Sequence, residues 1–301
     1  TDLVEEVARL VGYDKIPSKL PIAPPGRGLS SRQKLRRRVL SALTGAGFIE
    51  VLNYPFVSAE QNSWMGSTGA VELENPMQSE ASFLRTSLVP GLIAAAARNI
   101  SRGSTDIALV EEGSVFIPDG ASPVTILPVG NKRPSEETLA ALKASIPSQP
   151  RLISGLLAGN WLPQSPGQQS VTAGYPQALG AVEAVMQQSA VSFDLHQLEL
   201  AGLHPGRSAN VVVSGKVVGF VGEIHPDLAS QNHLPRSVGV FELNLDEIFV
   251  LAPDLVQANV FGVMTAATQD LSLEVAIEVS AADLIQSIVT GAGDLLEEIR
   301  L

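Results

Sequence analysis

The chain has 301 residues, 45% of them apolar, with a mean hydropathy of +0.20. That suffices for a large core in one or two domains, and the absence of cysteine excludes disulfides and thiolate metal centres and fits a reducing compartment. A net charge of −11 excludes a surface that is nucleic-acid footprint throughout, and no apolar run reaches the roughly 18 residues a membrane helix needs.

The opening, TDLVEEVARLVGYDKIP, is acidic and amphipathic, unlike a signal peptide. Thr1 is not a start methionine, so the chain is expected to be a piece of something longer or a processed product. Leu3, Val7, Leu10 and Val11 recur at helical spacing and predict a helix over 2–12, stopped by Gly12 and Pro17. Asp2, Glu5 and Glu6 fall at i, i+3 and i+4 of it. Two readings compete. Asp2 as N-cap with Glu5 three residues on is a capping box, and acids suit the first turn of a helix. Three crowded carboxylates also suit a hard cation such as Mg²⁺, which takes oxygen ligands and keeps waters. Spacing alone favours the cap. Residues 18–29 (SKLPIAPPGRGL) read as an extended linker.

Arg27, Arg32, Lys34, Arg36, Arg37 and Arg38 put six of the 20 basic residues into twelve positions. SSRQKLRRRVLSALTGAGF reads as a helix capped at Ser30 or Ser31. Its apolar stripe is Leu35, Val39, Ala42, Leu43 and Ala46. The cations lie opposite that stripe. A solvated face is the default; RNA phosphate contacts through Arg32, Arg36 and Arg37 are the alternative.

IEVLNYPFVS (49–58) then reads as a strand with Pro55 suited to its edge, and VELEN (71–75) as a short strand. SLVPGLIAAAARNISRG (87–103) reads as a helix with Pro90 in its first turn. TDIALVEEGSVFIP (105–118) reads as strand, turn, strand. Residues 119–150 form an excursion with one amphipathic stretch, 134–146. Further on come a strand at 151–161, a helix at 175–190, a hairpin at 209–224 around Ser214-Gly215, and a strand at 238–249. The last stretch, 269–301, reads strand, helix, strand, with a capping-box-like start at Ser280 and Asp283. Mixed elements and frequent hairpins predict an α+β fold with a largely antiparallel sheet.

No Walker loop, dinucleotide fingerprint, H-E-x-x-H or G-x-S-x-G is present. His196, His204, His225 and His233 show no helical metal spacing. His204-Pro205 and His225-Pro226 fall in turns, where backbone bonding is the favoured role.

Taken together, DLVEEVARLVGYDKIP (2–17), GAGFIEVLNYPFVS (45–58), LENPMQSEASFLRTSLVPGLIAAAARN (73–99), IALVEEGSVF (107–116), LHPGRSANVVVSGKVVGFVGEIHP (203–226) and QDLSLEVAIEVSAADLIQSIVTGAGDLLEEIRL (269–301) resemble the beta chain of bacterial phenylalanyl-tRNA synthetase. The most specific stretch is 203–226, with His204, Arg207 and His225 in the family motif. The resemblance implies a class II synthetase-like antiparallel sheet flanked by helices. It implies the tail of a small upstream domain at 1–17, a linker at 18–29, a non-catalytic core module at 30–250 and the start of a ferredoxin-like anticodon-binding domain at 260–301. It implies a cytoplasmic (αβ)₂ ligase joining phenylalanine to tRNA. The alpha subunit would perform the chemistry with ATP, and this chain would be its structural partner. Class II chemistry needs arginine in an F-R-x-E-type motif and in a glycine-rich third motif, and neither appears here. The resemblance also turns Asp2, Glu5 and Glu6 into an Mg²⁺ site, short of one upstream Asp. Departures from the family pattern are TAGYPQALG before the helix at 179–190, and Thr268-Gln269 where an Arg would stand. The alternative function is a free-standing module for RNA or an amino acid.

Overall fold

The computed structural model describes the whole chain except residues 23–25, 27, 68, 119–129, 131–132, 254, 259–263, 277–278, 280 and 301. It opens with helix α1 (Asp2–Val11), and here the capping expectation is corrected. Thr1 holds the cap position; its carbonyl accepts from the Val4 and Glu5 N–H groups at 3.0 and 3.1 Å. No side chain caps the helix. Asp2 lies one residue too late to cap and acts only through the helix dipole. No residue of α1 is buried.

Helix α2 (Ser31–Gly45) starts on a complete capping box made by Ser30 and Gln33. Leu35, Val39 and Leu43 are its buried stripe, whereas Ala46, at the C-cap, is exposed. The single strand expected over 49–58 does not form. Pro55 has no N–H to give a ladder, and the chain makes two short strands in different sheets. These are β1 (Ile49–Glu50) and β2 (Phe56–Val57), followed by α3 (Ala59–Ser63). β2 pairs with β3 (Phe83–Leu84). Residues 71–75 contribute only an isolated bridge, Glu72 to Phe83. Helix α4 (Val89–Ile100) carries Pro90 in its first turn.

The turn expected inside 105–118 is absent. β4 (Ile107–Ser114) runs straight through Glu111 and Glu112, because each carboxylate has an arginine partner. α5 (Glu136–Ala144) forms in the excursion and buries nothing. Then come β5 (Arg151–Ala158), the small pair β6 (Asn160–Leu162) and β7 (Val171–Thr172), α6 (Tyr175–Ser189) and β8 (Asp194–Gln197). β9 (Leu203–Val213) and β10 (Lys216–Ile224) make the hairpin. Its turn residues have φ of +51° and +79° at Ser214 and Gly215, the two-residue turn whose twist matches the strands. α7 (Pro226–Gln231) follows.

The strand expected over 238–249 is β11 (Val238–Asn244), cut short where Asn244 Oδ1 accepts from the Glu247 N–H at 3.1 Å and starts α8 (Leu245–Leu251). Residues 269–301 form α9 (Ala281–Ala292) with nothing buried, and no strand among the described residues. The expected cap at Ser280 lies outside them.

Among the described residues seven strands form the main sheet, in the order β1-β4-β5-β11-β10-β9-β8. Only β1–β4 is parallel; the other pairs are antiparallel. Both faces are covered. On one face α2, α6 and α8 pack on Ile153, Leu157, Phe241 and Leu243; on the other α4 and α7 pack on Leu109, Leu156 and Val240. At Gly155 an added Cβ would collide with the Phe241 ring. Only glycine lets that ring lie on β5 and meet Phe48 edge-on at 6.2 Å.

Candidate functional site

Strand alternation sets up a polar row under α4. Leu109, Leu156 and Val240 are aligned across β4, β5 and β11; two residues along, Glu111, Ser154 and Glu242 are aligned the same way. This puts two carboxylates on a buried face, where each must find donors. Arg85 Nη1 donates to Glu111 Oε1 at 2.6 Å, with the two side chains only 6% and 0% exposed. Asn53 Nδ2 donates to Glu111 Oε2 at 2.7 Å. Arg85 Nε donates to the Ser114 carbonyl at 3.1 Å. Glu242 Oε2 accepts from Ser87 Oγ at 2.9 Å and from the Leu88 N–H at 2.7 Å.

Glu242 therefore does the work of a cap. α4 has no side-chain cap of its own, and neither has α6. At α6 the buried Glu223 of β10 accepts from the Tyr175 N–H at 3.1 Å. In both helices a sheet carboxylate meets the positive end of the dipole and satisfies an otherwise orphaned donor.

Burial pushes the Glu242 carboxyl up to about 7, against the pull of Leu88, Ser87, Val89 and Arg85. The folded state thus holds this proton more tightly than the unfolded chain. Stability from this group is full below the unfolded value near ~4.3 and falls as pH rises to about 7. The loss is on the order of 3 kcal/mol. Glu242→Gln is expected to flatten that slope in urea denaturation followed across the same pH range.

Beside this row lies an open groove of about 1270 Å³, walled by Leu52, Tyr54, Phe56, Met77 and Arg98 among others. Leu52, Tyr54 and Met77 are 89%, 85% and 99% exposed, so three large apolar side chains face outward together.

The residues singled out from the sequence fall into separate places. Glu6 pairs with Arg9 at 2.6 Å. Among the described residues no three His, Asp or Glu side chains gather closely enough to hold a metal ion. Asp2, Glu5 and Glu6 as they stand do not form a closed cation site. Arg32 pairs with Asp246 at 3.5 Å, and Arg36 with the buried Glu112, which also takes Arg151 at 2.8 Å. The cationic face is therefore only partly a free solvated one. Arg37 is exposed. His204 Nδ1 accepts from the Gly206 N–H at 3.1 Å, and His225 Nδ1 from the Asp227 N–H at 3.3 Å; both bond the backbone, as expected. Arg207 holds Glu223 at 2.8 Å, which orients the carboxylate at the start of α6.

Arg85, Ser87, Glu111, Glu223 and Glu242 were not anticipated. A signal for the carboxylates was present: VEEG, VGEI and FELN each set a glutamate in an apolar run, which demands a buried partner.

The mainly antiparallel sheet with helices on both faces shares its architecture with class II aminoacyl-tRNA synthetases. The chain overlays a pyrrolysyl-tRNA synthetase from Desulfitobacterium hafniense with a TM-score of 0.50 at 13% identity, covering 73% of this chain and 66% of that one. Within this class the chain belongs to the family described as phenylalanyl tRNA synthetase beta chain CLM domain, whose model matches residues 16–245. It is similar to the phenylalanine–tRNA ligase beta subunits of Leifsonia xyli (47% identity over 309 residues) and Streptomyces avermitilis (39% over 311). All of this chain aligns with each, and it spans 36% and 37% of their lengths. No described helix is long and apolar enough to cross a membrane.

Proposed function

We propose that the chain is the synthetase-like, non-catalytic module of a phenylalanine–tRNA ligase beta subunit. In it the module packs against a catalytic alpha subunit and helps place tRNA. One observation carries the reading. Class II chemistry needs cations free to meet ATP phosphates, and on the sheet face under α4 the buried Arg85 is committed to Glu111 and the Ser114 carbonyl. The flanking Glu242 is a buried acid that offers no cation to a phosphate. ATP would enter through the alpha subunit, in a cytoplasmic (αβ)₂ assembly.

The module would occupy 30–250, with 1–17 the tail of a small upstream domain, 18–29 the linker, and 260–301 the start of a ferredoxin-like domain. Mg²⁺ at Asp2, Glu5 and Glu6 belongs to this proposal only with further oxygen ligands, waters included, and with Glu6 turned from Arg9 to the ion. No step is routed through that ion.

The apolar side chains Leu52, Tyr54 and Met77 support a partner, because obligate interfaces resemble cut cores. The tagged chain expressed in its host is expected to retain the alpha subunit, and Leu52→Asp/Tyr54→Asp to lose it without a change in thermal midpoint. Recovery of no alpha subunit by the unsubstituted chain would overturn the reading and favour a free-standing module for RNA or an amino acid.

A further inference from the structure

We infer that Asn53 is a positioning residue for the docking surface: tied to the buried Arg85–Glu111 pair, it holds Leu52 and Tyr54 outward in the arrangement the partner meets. That this partner is the alpha subunit rests on the ligase-module reading.

The stretch after β1 is held at every second residue. The Val51 N–H donates to the Val110 carbonyl of β4 at 2.8 Å, as a ladder bond would. At Asn53 the backbone N–H turns instead to Glu111 Oε1 at 3.3 Å, and Nδ2 donates to Glu111 Oε2 at 2.7 Å. The Asn53 carbonyl accepts from Arg85 Nη1 at 3.5 Å. Two residues on, the Pro55 carbonyl accepts from the Arg85 N–H at 2.9 Å. Burial alternates along 51–55 as it does in a strand. Fixing Val51, Asn53 and Pro55 inward therefore sends Leu52 and Tyr54 outward, where both are exposed.

Asn53 also has a shaped seat on α4. A Cβ added at Gly91 would stand 3.1 Å from Asn53 Cβ and 3.3 Å from its Cγ. Glycine inside a helix costs stability relative to alanine, and the close approach of Asn53 accounts for it here. The ion pair fits the same role. A buried pair contributes little over an apolar pair of similar volume, so fixing one arrangement accounts for its presence. A docking stretch that is already ordered avoids the entropy cost that binding would otherwise incur.

The test is the rate at which the alpha subunit leaves its complex with the tagged chain, captured from the host and immobilised. Thermal midpoint and amide hydrogen exchange are measured on the alpha-free chain. Asn53→Ala is expected to speed release about tenfold, as if one more backbone residue had to be ordered on binding. It is also expected to raise exchange across residues 51–56 while β11 stays protected. Gly91→Ala removes no hydrogen-bonding group and suits a helix interior. It is expected to speed release too, with no fall in thermal midpoint. On a Leu52→Ala/Tyr54→Ala background, adding Asn53→Ala is expected to speed release by less than it does in the unsubstituted chain, because it acts through those two side chains. Effects that multiply in full would overturn the inference. Release at the unsubstituted rate by Asn53→Ala or Gly91→Ala would also overturn it and leave the ligase reading standing. If the unsubstituted chain captures no alpha subunit, the ligase reading falls and exchange decides the anchor. Faster exchange across 51–56 in Asn53→Ala then upholds it, and equal exchange overturns it.

Discussion

Arg85→Met is expected to cost about 3–5 kcal/mol of folding stability, enough to consume much of what a domain usually has. Removing the guanidinium leaves the fully buried Glu111 carboxylate with Asn53 as its remaining side-chain donor. An uncompensated buried charge is the most damaging defect of this kind. The Ser114 carbonyl loses a donor as well. Nearby, Arg85 is one of the groups that restrain Glu242, so its loss drives that carboxyl further up and extends the pH-dependent loss to higher pH. Arg85→Met/Glu111→Leu removes both charges together and is expected to be less destabilised than Arg85→Met alone. Urea midpoints of the single and double variants check this: a double variant as unstable as the sum of both single changes would refute the pairing argument.

Legibility in the sequence followed the range of the forces involved. Helix α2 could be read because its capping box and its Leu35/Val39/Leu43 stripe are both local. The Ser214-Gly215 hairpin could be read for the same reason, since the turn residues lie between two β-branched runs. Glu111 and Glu112 misled because two adjacent acids read as a turn. What keeps them in a strand is Arg85, 26 residues earlier in the chain, for one, and Arg36 and Arg151 for the other. Short-range patterns carry no trace of such pairings. The same limit hid the cap that Glu242 supplies to α4 across 154 residues. Pro55 is legible as a strand-edge residue, but it divides the stretch between two sheets. The basic run was visible as composition, but which cations are consumed depends on Glu112 and Asp246, which the fold brings to α2. At the other end, the strands expected within 269–301 need partners that the described residues do not supply.

The second large effect concerns activity. Adenylate formation depends on cations placed where charge develops, and such groups supply a large share of an enzyme's rate enhancement. Here the sheet face under α4 offers an arginine already neutralised by Glu111 and a buried acid at Glu242. Neither is available to a nucleotide without breaking the buried row, which costs several kcal/mol. On the proposed reading, catalytic power lies with the alpha subunit. The direct measurement is phenylalanine-dependent ATP–pyrophosphate exchange by the purified chain, freed of any co-purifying alpha subunit, beside an assembly of alpha subunit with full-length beta subunit. The predicted result is exchange by the assembly and none above the protein-free background by the chain alone. Sustained phenylalanine-dependent exchange by the isolated chain would contradict the account.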